Sequence, residues 1–177
     1  MSVICLLAAI ICLVNFVADE AKQKKTTEIH PEVTHRVLFL SSYNPLYFTY
    51  ESQVRGLEKT LYPKGIEYDV IYMDAKSFSS EQDRLNFHDY LKHWLQKRND
   101  YEAILIGDDD ALQFALDYQD ELFPRLPMVF FCVNDYELAE RASQNPYMAG
   151  FYENDYLEET VVLAMKLFPK RKTFVAL

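Results

Sequence analysis

Glycine is scarce in this chain. Four occur among 177 residues, at Gly56, Gly65, Gly107 and Gly150. No two are close. A dinucleotide fingerprint and a P-loop each spend several glycines within a few residues, so both motifs are excluded. Cysteine is nearly as rare, with Cys5 and Cys12 in the apolar N-terminus and Cys132 alone in the body. No CxxC pair occurs, and no disulfide framework can be built. The histidines, His30, His35, His88 and His93, lack a metal-binding spacing such as HExxH. Basic charge is the third shortage. Lys and Arg number 18 against 27 Asp and Glu, a formal charge of -9. No charged side chain precedes Asp19, so all of that charge lies on residues 19–177. No strongly basic stripe is present, which argues against nucleic acid as a partner.

What is plentiful is apolar and aromatic. The chain is 50% hydrophobic and 25% charged, the balance of a globular protein of about one domain. With 13 Tyr and 12 Phe, many rings belong in the core, and this many tyrosines also suits a cleft that grips small molecules.

Residues 3–17 read VICLLAAIICLVNFV, interrupted by Asn15 alone. A signal-peptide core spans roughly 7–15 residues and a membrane helix needs about 20, so the segment lies between the two. Bulky Phe16 weakens a cleavage site after Ala18. Ile4 and Ile11 precede the cysteines where a lipidation site wants a small residue. Lys22, Lys24 and Lys25 follow the segment while no cation precedes it, and that bias alone would keep the body cytoplasmic. A soluble core does not explain an extreme terminus that is apolar on all faces. We therefore expect residues 1–18 to be a signal peptide or membrane anchor and 19–34 a polar linker. The body is then periplasmic or extracytoplasmic, anchored to the inner membrane if the segment is retained.

The body alternates strand-like and helix-like segments. Short apolar runs over 37–40, 66–73, 103–106, 128–133 and 148–152 read as strands. In the second, Ile66, Tyr68, Val70 and Tyr72 share a face opposite Glu67 and Asp69. Between the strands, apolar residues recur at helical spacing, as in Tyr50, Val54, Leu57 and Leu61. Another helix carries Phe87, Tyr90, Leu91, Trp94 and Leu95 on its inward face, behind a capping box formed by Ser79 and Gln82. Shorter helices are expected over 111–118 and 136–142. Asp155 with Glu158 caps a last one bearing Leu157, Val161, Ala164, Met165 and Phe168. Residues 173–177 begin a further strand, without the helix that would cover it, so we expect the N-terminal portion of a longer protein. Strict alternation implies an α/β fold with a doubly wound parallel sheet.

Ligands of open parallel sheets bind beyond the carboxyl ends of the strands. Loops 41–45, 74–78, 107–110 and 134–136 qualify. They gather hydroxyls, carboxylates, an amide, a lysine and aromatic rings, a rim suited to a small polar ligand. Each residue also has a plainer account. Asp108, Asp109 and Asp110 suit helix capping and solvent, and a Mg²⁺ or Ca²⁺ site would need more oxygens. Ser41 and Ser42 lack a GxSxG elbow and suit a turn or a ligand contact. Tyr43, Tyr47 and Phe48 serve a cleft or the core. Asp74 and Lys76 can pair in a surface loop. Asn134 and Asp135 can cap a helix. Cys132 reads as inert packing, and His88 and His93 as surface residues.

The ordered segments RVLFLSSYNP, VIYMDAKSF, AILIGDDDALQF, ELFPRLPMVFFCVND and MAGFYENDYLEETVVLAMKLFPKRKTFVAL resemble the periplasmic-binding-protein-like sensor region of bacterial membrane signalling proteins. That family is similar to the type I, two-lobed substrate-binding proteins of ABC transporters. The resemblance covers about residues 35–177. It implies a first lobe over 35–150 and the start of a second, truncated lobe over 151–177, with a ligand held between lobes that close by hinge bending. Carried over by position, the cleft candidates are Ser42, Tyr43, Asp74, Lys76, Asp108, Asp109, Asn134 and Asp135. In the sensor members a transmembrane helix and a histidine kinase or diguanylate cyclase domain follow. The expectation is a non-catalytic, cofactor-free sensing region that takes a small polar ligand and reaches the membrane through its N-terminal segment. Homodimerisation is left open. The alternative is the substrate-binding component of an ABC importer.

Overall fold

The computed structural model describes residues 35–154, 156–171 and 173. The segments expected over 1–18 and 19–34, Asp155, and all but Thr173 of the strand expected over 173–177 lie outside the described residues. Five strands form one sheet: β1 (His35–Ser41), β2 (Ile66–Tyr72), β3 (Ala103–Gly107), β4 (Met128–Val133) and β5 (Met148–Tyr152). Their order is β2-β1-β3-β4-β5, and every neighbouring pair is parallel. The connecting helices are α1 (Tyr50–Leu61), α2 (Glu81–Lys97), α3 (Asp109–Leu122) and α4 (Tyr136–Ser143), and α5 (Leu157–Leu167) follows β5. This is an α/β fold compatible with a doubly wound sheet. The order reverses at β1, because the chain steps outward to β2 and then back past β1 to β3.

Alternation along the strands explains the layers. Leu38, Leu40, Ile104, Ile106, Met128, Phe130 and Met148 point one way and share a core with Leu91 of α2, Phe114 of α3 and Leu138 of α4. Phe39 points the other way, toward α1, and stacks on Phe131 at 5.6 Å between ring centroids. That second face is covered only in part. Val129 is 39% exposed and Phe151 is 76% exposed. The edge position of β2 accounts for the half-exposure of its aromatic face. Among the described residues no helix is long and apolar enough to cross a membrane.

Several local expectations shift. The capping box of α2 is Ser80 with Asp83, one residue beyond Ser79 and Gln82. Ser80 has the extended backbone that an N-cap needs, so its hydroxyl reaches the Asp83 N–H. Tyr90 is 51% exposed, whereas His88 is buried. His88 stacks on Tyr118 at 4.6 Å and sets Nε2 3.2 Å from the Glu121 carboxylate. The reason is α3, whose Phe114 and Tyr118 pack beside Phe87 and draw that side of α2 inward. Helix α3 starts at Asp109 and runs to Leu122, longer than periodicity over 111–118 indicates. Helix α5 buries none of its side chains.

Gly150 offers a direct test of the β4–β5 pairing. A Cβ there would lie 2.2 Å from the Phe130 carbonyl oxygen and 2.5 Å from its ring. Both neighbours are fixed, one by the backbone and one by the core. Gly150→Ala should therefore destabilise the protein by roughly 1–3 kcal/mol, as overpacking does. Urea unfolding checks this, and an unchanged midpoint would mean that β5 lies further from β4.

Candidate functional site

A parallel sheet delivers all its strand ends to one edge, and the crevice lies where the order reverses, between β1 and β3. Three of those ends leave through residues with positive φ that are not glycine: Asp74 at 53°, Asp108 at 69° and Cys132 at 58°. Each follows or ends a different strand, namely β2, β3 and β4. Left-handed backbone is costly for residues with a Cβ. Asp108 is the extreme case. Its φ of 69° and ψ of 173° lie in a region occupied essentially by glycine alone, which costs on the order of 1–3 kcal/mol. Such strain collects where a side chain must be aimed at a site.

Asp108 is also buried, at 5% exposure. Its Oδ2 accepts a hydrogen bond of 2.9 Å from Gln53 Nε2 of α1. Its backbone N–H donates to the Phe131 carbonyl at 3.1 Å. Burial pushes its carboxyl up to about 6 against the opposing Gln53 bond, and the neighbouring charges of Asp109, Glu153 and Asp110 push the same way. The Asp108 carboxyl therefore holds its proton well above the ordinary carboxylate range.

Ser42 serves the scaffold. It is fully buried, its Oγ donates to the Gly107 carbonyl at 2.8 Å, and the Ala111 N–H donates back to that oxygen at 2.8 Å. One bond joins the end of β1 to the end of β3 and the other joins it to the start of α3. Asp109 likewise ties two loops, its Oδ1 accepting from the Asn134 and Asp135 N–H groups at 2.9 and 3.0 Å. Asp135 caps α4 by accepting from the Leu138 N–H at 2.9 Å. Asn134 is exposed, with its side-chain amide 3.5 Å from the Cys132 carbonyl.

The remaining candidates meet above β1 and β2. Tyr43 is half-buried, and its ring packs on Tyr47 at 4.0 Å, which in turn packs on Phe48 at 4.7 Å. Lys76 Nζ sits 4.9 Å from the Tyr43 ring centroid, a cation–π contact rather than a pair with Asp74. Asp74 instead accepts from Asn44 Nδ2 at 2.7 Å. Desolvation raises the Tyr43 hydroxyl far above its usual value, helped by Asp108, so it stays a neutral donor. The structure thus brings Tyr43, Asp74 and Lys76 into one group and sets Asp108 beside it. It assigns Ser42, Asp109 and Asp135 to backbone hydrogen bonds that hold the loops.

Sequence reasoning missed Gln53, Cys132 and Glu153. Gln53 is the one buried residue of α1, three residues after Tyr50 and four before Leu57. A polar side chain on an apolar stripe was a readable signal. Cys132 is not simple core packing. It falls where the β4–β5 register breaks, between Phe130 and Val133, so the bulge turns it outward and leaves it half-exposed. Burial pushes its thiol up to about 11, with Asp108 adding to the shift, which makes it a poor nucleophile. Among the described residues no group of three or more His, Cys, Asp or Glu is placed to hold a metal. Comparison with family models, curated proteins and solved structures yields no match to the chain.

The raised Asp108 carboxyl makes stability pH-dependent with a definite sign. Between its ordinary value of 3.8 and about 6, the folded state holds a proton that the unfolded state has lost. This contribution is full below pH 4 and disappears as pH rises through 6, a change of about 2–3 kcal/mol. Asp108→Asn keeps an acceptor for Gln53 and removes the charge. Relative to the parent, the variant should gain stability steadily from pH 4 to 7 in urea unfolding. A constant difference across that range would show Asp108 to be ionised throughout.

Proposed function

We propose that this chain is the extracytoplasmic small-molecule-sensing region of a membrane-bound bacterial signalling protein. Its body would be the first lobe of a periplasmic-binding-protein-like fold, with 151–177 opening the second. Asp108 carries this reading: a buried carboxylate, held in glycine-type backbone, at the point where the strand order reverses. Strain and burial of a charge together are hard to explain by folding alone. The grouped Tyr43, Asp74 and Lys76 support it by supplying stacking surface, acceptor and cation beside that carboxylate. Helix α5 is compatible with the second-lobe assignment, since none of its side chains is buried against the described body. Function would follow from differential affinity, with ligand favouring the closed arrangement and shifting the population toward it.

Thermal-shift screening of the full chain against amino acids, monosaccharides and dicarboxylates tests the binding step. Saturation with a true ligand at about 100 times its Kd should raise the melting temperature on the order of 5–10 °C. The double variant Asp74→Ala, Asp108→Ala should fold and lose that shift. A shift that survives both changes removes these residues from the site. Fractionation of cells then separates the classes. A membrane-embedded product is expected, and a soluble two-lobed periplasmic product would mark an importer component instead.

A further inference from the structure

A second concavity lies on the partly covered face of the sheet. It opens between α1 and the end of β4, with a volume of about 510 Å³, within the range of small-molecule sites. Phe48, Leu57 and Phe131 supply apolar walls, and Gln53, Cys132 and Glu153 close one end. Phe48 is 80% exposed, so the wall it forms is open to solvent.

Three observations single the groove out. Gly56 lines it from the middle of α1. Glycine is the poorest helix former after proline, and such a residue normally has a packing reason. Here none exists, because a Cβ at Gly56 would meet nothing within 4 Å. The glycine leaves open the space that any larger residue would fill. Second, Thr49 lines the groove with its Oγ1 buried and without a hydrogen-bond partner, although Thr49 is the N-cap of α1. Third, the charge is of one sign. Glu153 is the ionisable carboxylate on the wall, Asp108 lies behind Gln53, and no lysine, arginine or histidine is among the described residues that line the groove. An apolar trough ending in carboxylate with no cation is complementary to an apolar body with a positive head.

We propose that this groove binds an organic monocation, a protonated amine on a flat apolar body. The body lies over Gly56 between the Phe48 and Phe131 walls, and the amine faces Glu153. The inference rests on reading the chain as a ligand-binding region, and it specifies a ligand class for the side of Asp108 that faces α1. It also gives the Gln53–Asp108 hydrogen bond a role, since Gln53 touches both the groove and the buried carboxylate.

Isothermal titration of the full chain with 2-phenylethylamine, 2-phenylethanol and phenylacetate tests it. The amine should bind at least tenfold more tightly than the alcohol, and the acid should not bind. Glu153→Gln should weaken the amine tenfold or more and leave the alcohol unchanged. Gly56→Leu should abolish binding of the amine and the alcohol while keeping or raising the melting temperature, which separates occlusion from misfolding. Equal affinity for amine and alcohol overturns the charge assignment but not the groove. Binding unaffected by Gly56→Leu overturns the groove, while a thermal shift lost on Asp74→Ala, Asp108→Ala would leave the sensing function standing. No binding of any probe overturns the inference. If light scattering then shows a dimer that Gly56→Leu disrupts, a second copy of the chain covers this face instead.

Discussion

The buried hydroxyl of Ser42 holds the middle of this protein together. It donates to Gly107 at the end of β3 and receives the Ala111 N–H from the first turn of α3. One side chain therefore fixes the end of β1, the end of β3 and the start of α3 against each other. Without it the Ala111 N–H at the helix start would lose its partner, which costs about 1–3 kcal/mol, whereas the Gly107 carbonyl also accepts the Ser42 backbone N–H at 3.1 Å. With that knot in place, the short link between Gly107 and α3 has no freedom. Asp108 joins the two in strained backbone, with φ of 69° and ψ of 173°.

The same logic runs outward along the edge. Asp109 is set by α3, and its carboxylate gathers the N–H groups of Asn134 and Asp135, so the loop after β4 is registered to the loop after β3. Asp135 then starts α4. The polar residues at this edge divide into two groups. One consists of ties with both partners in the chain. The other, Tyr43, Asp74 and Lys76, keeps polar or aromatic surface near the crevice, with Asp108 buried beside it and held by Gln53. A buried carboxylate raised toward neutrality sits where the two groups meet.

Much of the architecture was legible because its cause is local. The runs at 37–40, 103–106 and 128–133 are apolar on both faces, as strands buried in a parallel sheet must be, and each proved a strand. The spacing of Tyr50, Val54, Leu57 and Leu61 marked a helix there, and α1 runs over Tyr50–Leu61. What failed depended on neighbours distant in sequence. His88 looked like a surface histidine until Tyr118 of α3 covered it. Cys132 looked like core until the bulge against β5 turned it. The candidate rim was legible as a set of loops, since strand ends can be read from the pattern. The sorting of its residues into those that tie loops to one another and those that face the crevice was not, because Ser42 and Asp109 find their partners 65 and 25 residues away.

The sequence by itself determined the class of the protein: alternating elements, an acidic body without a phosphate-cradling loop, and an apolar N-terminal segment. Periodicity and composition carry this because they act within a few residues of one another. The tertiary structure alone decided the strand order, the reversal at β1, and the convergence of Gln53, Asp108, Cys132 and Glu153 beside one groove. Those four come from a helix, a strand end, a bulge and a loop. Only parallel pairing of non-consecutive strands places them together, and no short-range pattern encodes which strand pairs with which.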